Sequence, residues 1–217
     1  MSNKSTTQII NSYRKYAENY DFIEKFYRLL GLKIPKYRKI SIAALELSKG
    51  DTVVELGCGT GSNFSLVLDA IGPNGKLIGV DINDKMLEQA KKKIQKNGWK
   101  NVELVLCDVA EFKFPETVDG IFSTGALSYS SQYDKIIKKA HKALKLGKNF
   151  VLLDFKKSEG PAKIFAPILL LTTKPFAVGK EYYERQAWKS VEKYFEKTSY
   201  LEGWGGFLYL SVGKKTR

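Results

Sequence analysis

The chain has 217 residues, 43% of them hydrophobic and 27% charged, which sets aside disordered and fibrous classes and suits one domain with a full core. Lys and Arg number 36 against 23 acids, a formal charge of +13 that fits either an anionic partner or a solvated lysine-rich surface, since the excess is spread along the chain. Two cysteines, Cys58 and Cys107, make neither a disulfide framework nor a zinc pattern.

Met1 to Ile10 has no apolar run and no small-residue cleavage site, so no secretion signal is read there. The segment from Asn11 to Leu47 is predicted helical, with breaks near Gly31 and Pro35. It is amphipathic and basic: Tyr13, Tyr16, Tyr20, Phe22, Phe26 and Tyr27 alternate with Arg14, Lys15, Lys25 and Arg28. The rhythm then changes. Thr52–Leu56 is a short β-branched apolar run, as a buried parallel strand requires, followed by a glycine turn and a helix over Gly61–Ile71. A turn at Gly72–Gly75 leads to a strand at Lys76–Val80 and a helix at Asp84–Asn97, whose Met86, Leu87, Ala90 and Ile94 share one face. Strands are predicted at Val102–Leu106, Val118–Ser123 and Asn149–Asp154, with a helix at Tyr133–Leu146 before the last of them. Alternation of this kind implies a parallel sheet with right-handed crossovers.

The segment 156–180 is more apolar than a surface loop, notably Ile164–Leu171 and Pro175–Val178. It is too short to span a bilayer, which takes about 20 apolar residues. It reads either as a lipophilic flap that forms a ligand pocket or touches a membrane interface, or as a helix buried on the sheet. A helix is predicted at Glu181–Tyr194. Lys197–Leu201 and Gly206–Val212 follow as two strands, antiparallel because only a short glycine loop joins them. The lack of a signal or a spanning run places the protein in the cytoplasm, with any membrane contact peripheral.

The chemistry is concentrated where the predicted strands end. Glu55-Leu56-Gly57-Cys58-Gly59-Thr60-Gly61-Ser62-Asn63 sets three alternate glycines between a strand and a helix. Glycine serves sharp turns and close ligand approach, and the following helix offers free N–H groups. The dinucleotide fingerprint G-x-G-x-x-G has its third glycine one residue later, where this chain has Ser62. Asp81 closes the second strand, 20 residues after Gly61, where a carboxylate can accept two ribose hydroxyls. Asp108 and Val109 follow the third strand, placed to meet the edge of an adenine, and Ser123-Thr124-Gly125 end the fourth.

As a set, the runs ELGCGTG, GVDIN, CDVAEF and FSTGALSY resemble the successive motifs of class I S-adenosylmethionine (SAM) dependent methyltransferases, over roughly Asp51 to Asp154. The resemblance implies an α/β Rossmann-like seven-stranded sheet in the order 3-2-1-4-5-7-6, strand 7 antiparallel, with helices on both faces. It implies one domain: an N-terminal helical cap (1–50), a SAM-binding core (51–155), an apolar flap for the methyl acceptor (156–180) and a closing helix and strands (181–217). It implies that Glu55, Gly57, Gly59, Gly61 and Asn63 serve the methionine end of SAM and Asp81 the ribose. Ile82 and Met86 would pack on the adenine, with Asp108 and Val109 at its edge and Ser123 and Thr124 on the floor. SAM becomes S-adenosylhomocysteine in such a reaction, and no metal is required.

The run from Tyr13 to Asp21 is similar to a segment of the ubiquinone, menaquinone and phospholipid methyltransferases that helps cover the cofactor, which adds Tyr13 and Tyr20 to the set. Gly205–Lys214 looks like the last strand of phosphatidylethanolamine N-methyltransferases. The favoured expectation is therefore N-methylation of a phospholipid ethanolamine headgroup at an anionic membrane, with quinone-ring C-methylation next and a soluble small-molecule acceptor third. N-methylation requires an unprotonated amine, and Tyr16, Tyr20 and Tyr129 are the candidate proton relays. Nucleic acid is disfavoured as a partner: the fourth strand ends without the Asn/Asp-Pro-Pro-Tyr/Phe or Pro-Cys set of nucleic-acid methyltransferases. A non-catalytic SAM-binding protein remains as an alternative. Cys58 and Cys107, two strands apart at about 9.5 Å, are expected to be free thiols, and His141 a solvated surface residue.

Overall fold

The computed structural model describes residues 5–20, 33–160, 164 and 179–216. Seven strands form one sheet in the order β3-β2-β1-β4-β5-β7-β6. They are β1 (Thr52–Leu56), β2 (Lys76–Asp81), β3 (Val102–Leu106), β4 (Gly120–Thr124), β5 (Asn149–Phe155), β6 (Glu196–Gly203) and β7 (Leu208–Lys214). The first five pair in parallel, and β7 runs antiparallel to both β5 and β6, which is the arrangement the sequence implied.

Strand periodicity sorts side chains to the two faces. Val53, Phe122 and Val151 point to one layer, where α2 (Ile34–Ala43), α3 (Phe64–Ile71) and α4 (Asp84–Asn97) pack. Val54, Ile121, Phe150 and Leu152 point to the other, against α5 (Tyr133–Ala143) and α7 (Ala187–Tyr194). The central strands are buried on both sides, whereas β3, at an edge, alternates half-buried and exposed residues. α1 (Thr6–Tyr16) opens with a reciprocal capping box between Ser5 and Gln8 and has no fully buried residue, so its hold on the body depends on a few contacts.

Several expected boundaries moved for physical reasons. The helix expected from Gly61 begins at Phe64, because Gly59 and Gly61 sit at positive φ and cannot extend it backwards. The single helix expected over Glu181–Tyr194 is split into α6 (Lys180–Glu184) and α7, since Arg185 takes an extended conformation. Cys58 and Cys107 are free thiols. His141 is half-buried and only partly solvated: it packs edge-on against Phe195, ring centroids 4.9 Å apart, and burial then the Lys215 charge lower its pKa. Phe22, Phe26, Tyr27 and most of the apolar segment 156–180 lie outside the described residues; Ile164, within it, is exposed. Among the described residues no helix is long and apolar enough to cross a membrane.

Candidate active site

A cavity of about 550 Å³ opens at the carboxyl ends of β1, β2 and β4, beside the point where strand order reverses between β1 and β4. Open α/β sheets place ligands there, and the size is that of an ordinary small-molecule pocket. One half is built by the β1 and β2 ends. The main chain at Gly57 and Gly59 forms its wall, both at positive φ (+73° and +53°). A side chain at Gly57 would stand 2.2 Å from the Cβ of Ala126, so glycine lets the β1 and β4 loops close on each other. No atom lies within 4 Å of the place a Gly59 Cβ would take, so only the backbone angle and the cavity beside it call for glycine there.

Asp81 is fixed on both oxygens. Oδ2 accepts from the Gly59 N–H and Oδ1 from the Asn83 N–H, each at 2.8 Å. Burial pushes its carboxyl up from the ordinary value, against the N–H groups of Asn83, Gly59 and Ile82, which lower it. The carboxylate still faces the cavity and can accept from a ligand hydroxyl. Ile82 and Met86 line the same half, with Asp108 and Val109 across from the glycine loop. Asp108 Oδ1 also accepts from the Ala110 N–H at 2.9 Å, which orients the carboxylate.

Behind this wall lies a buried polar network. Asn63 donates to Glu55 Oε1 at 2.6 Å and to the Thr124 hydroxyl at 2.9 Å. Glu55 is fully buried, and its pKa is pushed up to about 8, chiefly by burial, with the Asn63 bond pulling the other way. Glu55 Oε2 and Asn63 Oδ1 are buried and unpartnered among the described residues. Asn63 Oδ1 is an idle acceptor, and Glu55, protonated at neutral pH, becomes an acceptor on both oxygens only where a cation beside it drives its proton off; the pair fits a ligand that brings a cationic N–H group.

The second half is aromatic. Tyr13 from α1 and Tyr129 from the turn after β4 join hydroxyls at 2.8 Å, their rings edge to face at 5.7 Å, with Tyr20 packed on Tyr13 at 6.0 Å. Tyr182 stacks behind Tyr129 at 4.7 Å and donates its hydroxyl to the buried Asp154. Burial raises the pKa of Tyr13, Tyr129 and Tyr182, so all three stay protonated at neutral pH. Arg185, with Ser130, Ser131 and Gln132, completes the rim.

Of the residues singled out from sequence, Tyr13, Tyr20, Gly57, Gly59, Asp81, Ile82, Met86, Asp108, Val109, Thr124 and Tyr129 line the cavity. Others do not. Ser123 is fully buried and donates to the Leu56 carbonyl at 2.8 Å, so it ties β4 to β1 and is no part of a floor. Glu55, Asn63 and Gly61 stand one layer back. Tyr16 is outside the cavity lining, with the Lys15 ammonium over its ring. Asn83 was missed: it caps α4 by accepting from the Lys85 and Met86 N–H groups, and its amide donates to the Ile10 carbonyl at 2.9 Å, pinning α1 over the cavity. The Asn-Asp pair before an amphipathic run was the signal that could have flagged it. Arg185 was also missed.

Residues 47–197 match the family model described as a methyltransferase domain. The chain belongs to this family. The methyltransferase has the sheet order of the class I SAM-dependent enzymes, as the sequence motifs implied. It is similar to the demethylmenaquinone methyltransferase of Symbiobacterium thermophilum, 28% identical over 145 residues, which is 66% of this chain and 57% of that protein. It is also similar to that of Listeria monocytogenes serotype 4b, 24% identical over 156 residues, 71% and 65% of the two chains. It thus spans somewhat under two thirds of the length of these relatives. Among solved structures it shares the fold of geranyl diphosphate C-methyltransferase from Streptomyces coelicolor (13% identity, TM-score 0.67, 84% and 77% covered). It likewise shares that of a Haemonchus contortus phosphoethanolamine N-methyltransferase (15% identity, TM-score 0.59, 79% and 50% covered).

Proposed function

We propose that this methyltransferase binds SAM in the glycine and aspartate half of the cavity and methylates a ring carbon of a lipophilic aromatic alcohol, of the demethylmenaquinol type, in the tyrosine half. The observation that carries the acceptor assignment is the lining of that second half: tyrosine rings and neutral hydroxyls. The carboxylates that line the cavity among the described residues, Asp81 and Asp108, both stand at the other half, so an ethanolammonium group in the tyrosine half would have ring faces and hydroxyl oxygens but no carboxylate to balance its charge, with the Arg185 cation at the rim against it. The names of the similar curated proteins support the same acceptor class. The ring acceptor therefore replaces the phospholipid headgroup as the preferred reading.

The residues present fit SAM. Its ammonium would stand against the Gly57 and Gly59 wall, in front of the buried Glu55 and Asn63, where its charge would favour the ionised form of Glu55; its ribose hydroxyls would meet Asp81, and its adenine the Asp108 and Val109 edge, between Ile82 and Met86. SAM supplies a methyl group made electrophilic by a positively charged sulfur, so the chemistry is the cofactor's own. The protein's part is position: α1 with Tyr13 and Tyr20 closes the cavity and excludes water, and in the Tyr13–Tyr129 pair one hydroxyl donates to the other, which leaves the second to donate to an acceptor oxygen. Neither tyrosine serves as a base at neutral pH, because burial keeps both protonated. The +13 charge supports loading of a membrane-dissolved acceptor from an anionic bilayer.

The test uses methyl-labelled SAM with two acceptors in liposomes: a reduced short-chain demethylmenaquinone and phosphatidylethanolamine. Label on the naphthalene ring is expected. Label on the ethanolamine nitrogen alone would replace this reading with the phospholipid one.

A further inference from the structure

Arg185 is the cation on the acceptor side of the cavity, and its charge is unbalanced. It lies at the extended break between α6 and α7 and lines the cavity. Its Nη1 donates to the main-chain carbonyls of Ser128 and of Tyr129, the latter at 2.7 Å. No carboxylate pairs with it among the described residues. The nearby buried acid, Asp154, is already taken by the Tyr182 hydroxyl and by the N–H groups of Ser128 and Phe155. A guanidinium carries five donors. Two carbonyls engage one nitrogen and neutralise nothing, which leaves a full positive charge and free N–H groups at the rim with Ser130 and Ser131. Once α1 covers the cavity and excludes water, the attraction between the guanidinium and an anion bound there is screened less.

We propose that Arg185 is an anion-binding residue of the acceptor site, and that the aromatic alcohol is held as its phenolate. This rests on the acceptor class proposed above. It explains how a site whose tyrosines cannot take a proton still presents an electron-rich ring: the acceptor loses its own hydroxyl proton to solvent and the guanidinium holds the resulting charge; as the ring carbon gained the methyl and the S–CH3 bond broke, the ring C–H proton would likewise leave to solvent and restore the aromatic phenolate. An opposite charge within hydrogen-bonding range lowers an acid's pKa by roughly 1–3 units. The plain alternative is that Arg185 merely pins the Ser128–Tyr129 turn to α6.

The two are separated with 4-nitro-1-naphthol, whose phenolate absorbs in the visible, and with its O-methyl ether, which carries no charge. Both are titrated into the full chain saturated with S-adenosylhomocysteine. The apparent pKa of the bound naphthol is expected to fall by at least about 1 unit relative to the free compound. R185Q, which keeps an amide donor for the carbonyls but loses the charge, should abolish that shift and weaken phenolate binding about tenfold or more, with ether binding unchanged; R185K should retain most of the shift. Equal weakening of both probes in R185Q, or no change in either, would overturn the proposal in favour of a structural pin. If neither probe binds the wild type, the subsite falls too. A bound, pKa-shifted naphthol combined with no ring labelling in the liposome assay would sink the quinol reading and leave the anion site standing.

Discussion

At Gly57 and Glu55, two residues apart, sequence and structure make different kinds of demand. Gly57 is required by space: alanine there must push Ala126, at 2.2 Å, and hold φ at +73°. Gly57→Ala is expected to cost about 1–3 kcal/mol, read by urea unfolding, and to weaken SAM binding in calorimetry. Glu55 is held by burial. Its folded pKa of about 8 stands above the ordinary 4.5, so the folded protein keeps a proton that the unfolded chain gives up. The stability this group contributes is full below about pH 4.5 and is lost as pH rises towards about 8. Tm should therefore fall across that window in the wild type and fall less in Glu55→Gln; parallel curves would show that Glu55 is already ionised in the fold. The glycine spacing and Asp81 were legible because their chemistry is local to one strand end. Ser123 misled because its neighbour Thr124 faces the cavity, and alternation along β4 turns the Ser123 hydroxyl to Leu56. Arg185 left no local trace: what gives it meaning is the turn it meets, 56 residues away in sequence.

Among the described contacts, few hold α1 to the body. The helix buries no residue fully and is joined to the body by the Asn83 amide to Ile10, the Tyr13–Tyr129 hydroxyl pair and an exposed Arg14–Asp84 ion pair at 2.8 Å. Exposed pairs contribute little, so the first two contacts decide whether the helix stays closed. Amides of α1 should exchange far faster than those of β1 and β4, and binding of S-adenosylhomocysteine should slow them. Asn83→Ala removes both the cap of α4 and the Ile10 contact. It is expected to cost about 1 kcal/mol and to release α1 to fast exchange even with ligand bound, a result that Arg14→Ala should not reproduce. The strands were legible within a residue or two because period-two burial is strong in the central ones. Helix ends were less so: the start of α3 depends on glycine φ values, and the α6–α7 break on a backbone choice at Arg185 that composition does not encode.

For the whole molecule, ligand linkage and net charge give two checks. S-adenosylhomocysteine at 100 times its Kd should add about 2.7 kcal/mol, a Tm rise of roughly 5–11 °C for a chain of this length. Cosedimentation with anionic vesicles should decline steeply with salt if the +13 charge acts at a bilayer, whereas salt-independent binding would point instead to apolar contact. The antiparallel course of β7 has a wider consequence. Because β7 reverses, the turn from β6 to β7 returns to the same edge as the cavity, and Trp204 and Phe207 there join Tyr182 and Tyr183 behind Tyr129. On the proposed reading, the cavity residues from Gly57 to Val109 line the cofactor half, and Ala126, Tyr129, Ser130, Ser131, Gln132 and Arg185 line the acceptor half with Tyr13 and Tyr20, the two meeting at Gly57 and Ala126. Such a division lets the acceptor wall diversify under selection while the donor pocket stays constant. A mutational library confined to Ser130, Ser131, Gln132 and Arg185 should change which alcohols are methylated and leave the affinity for SAM where it was.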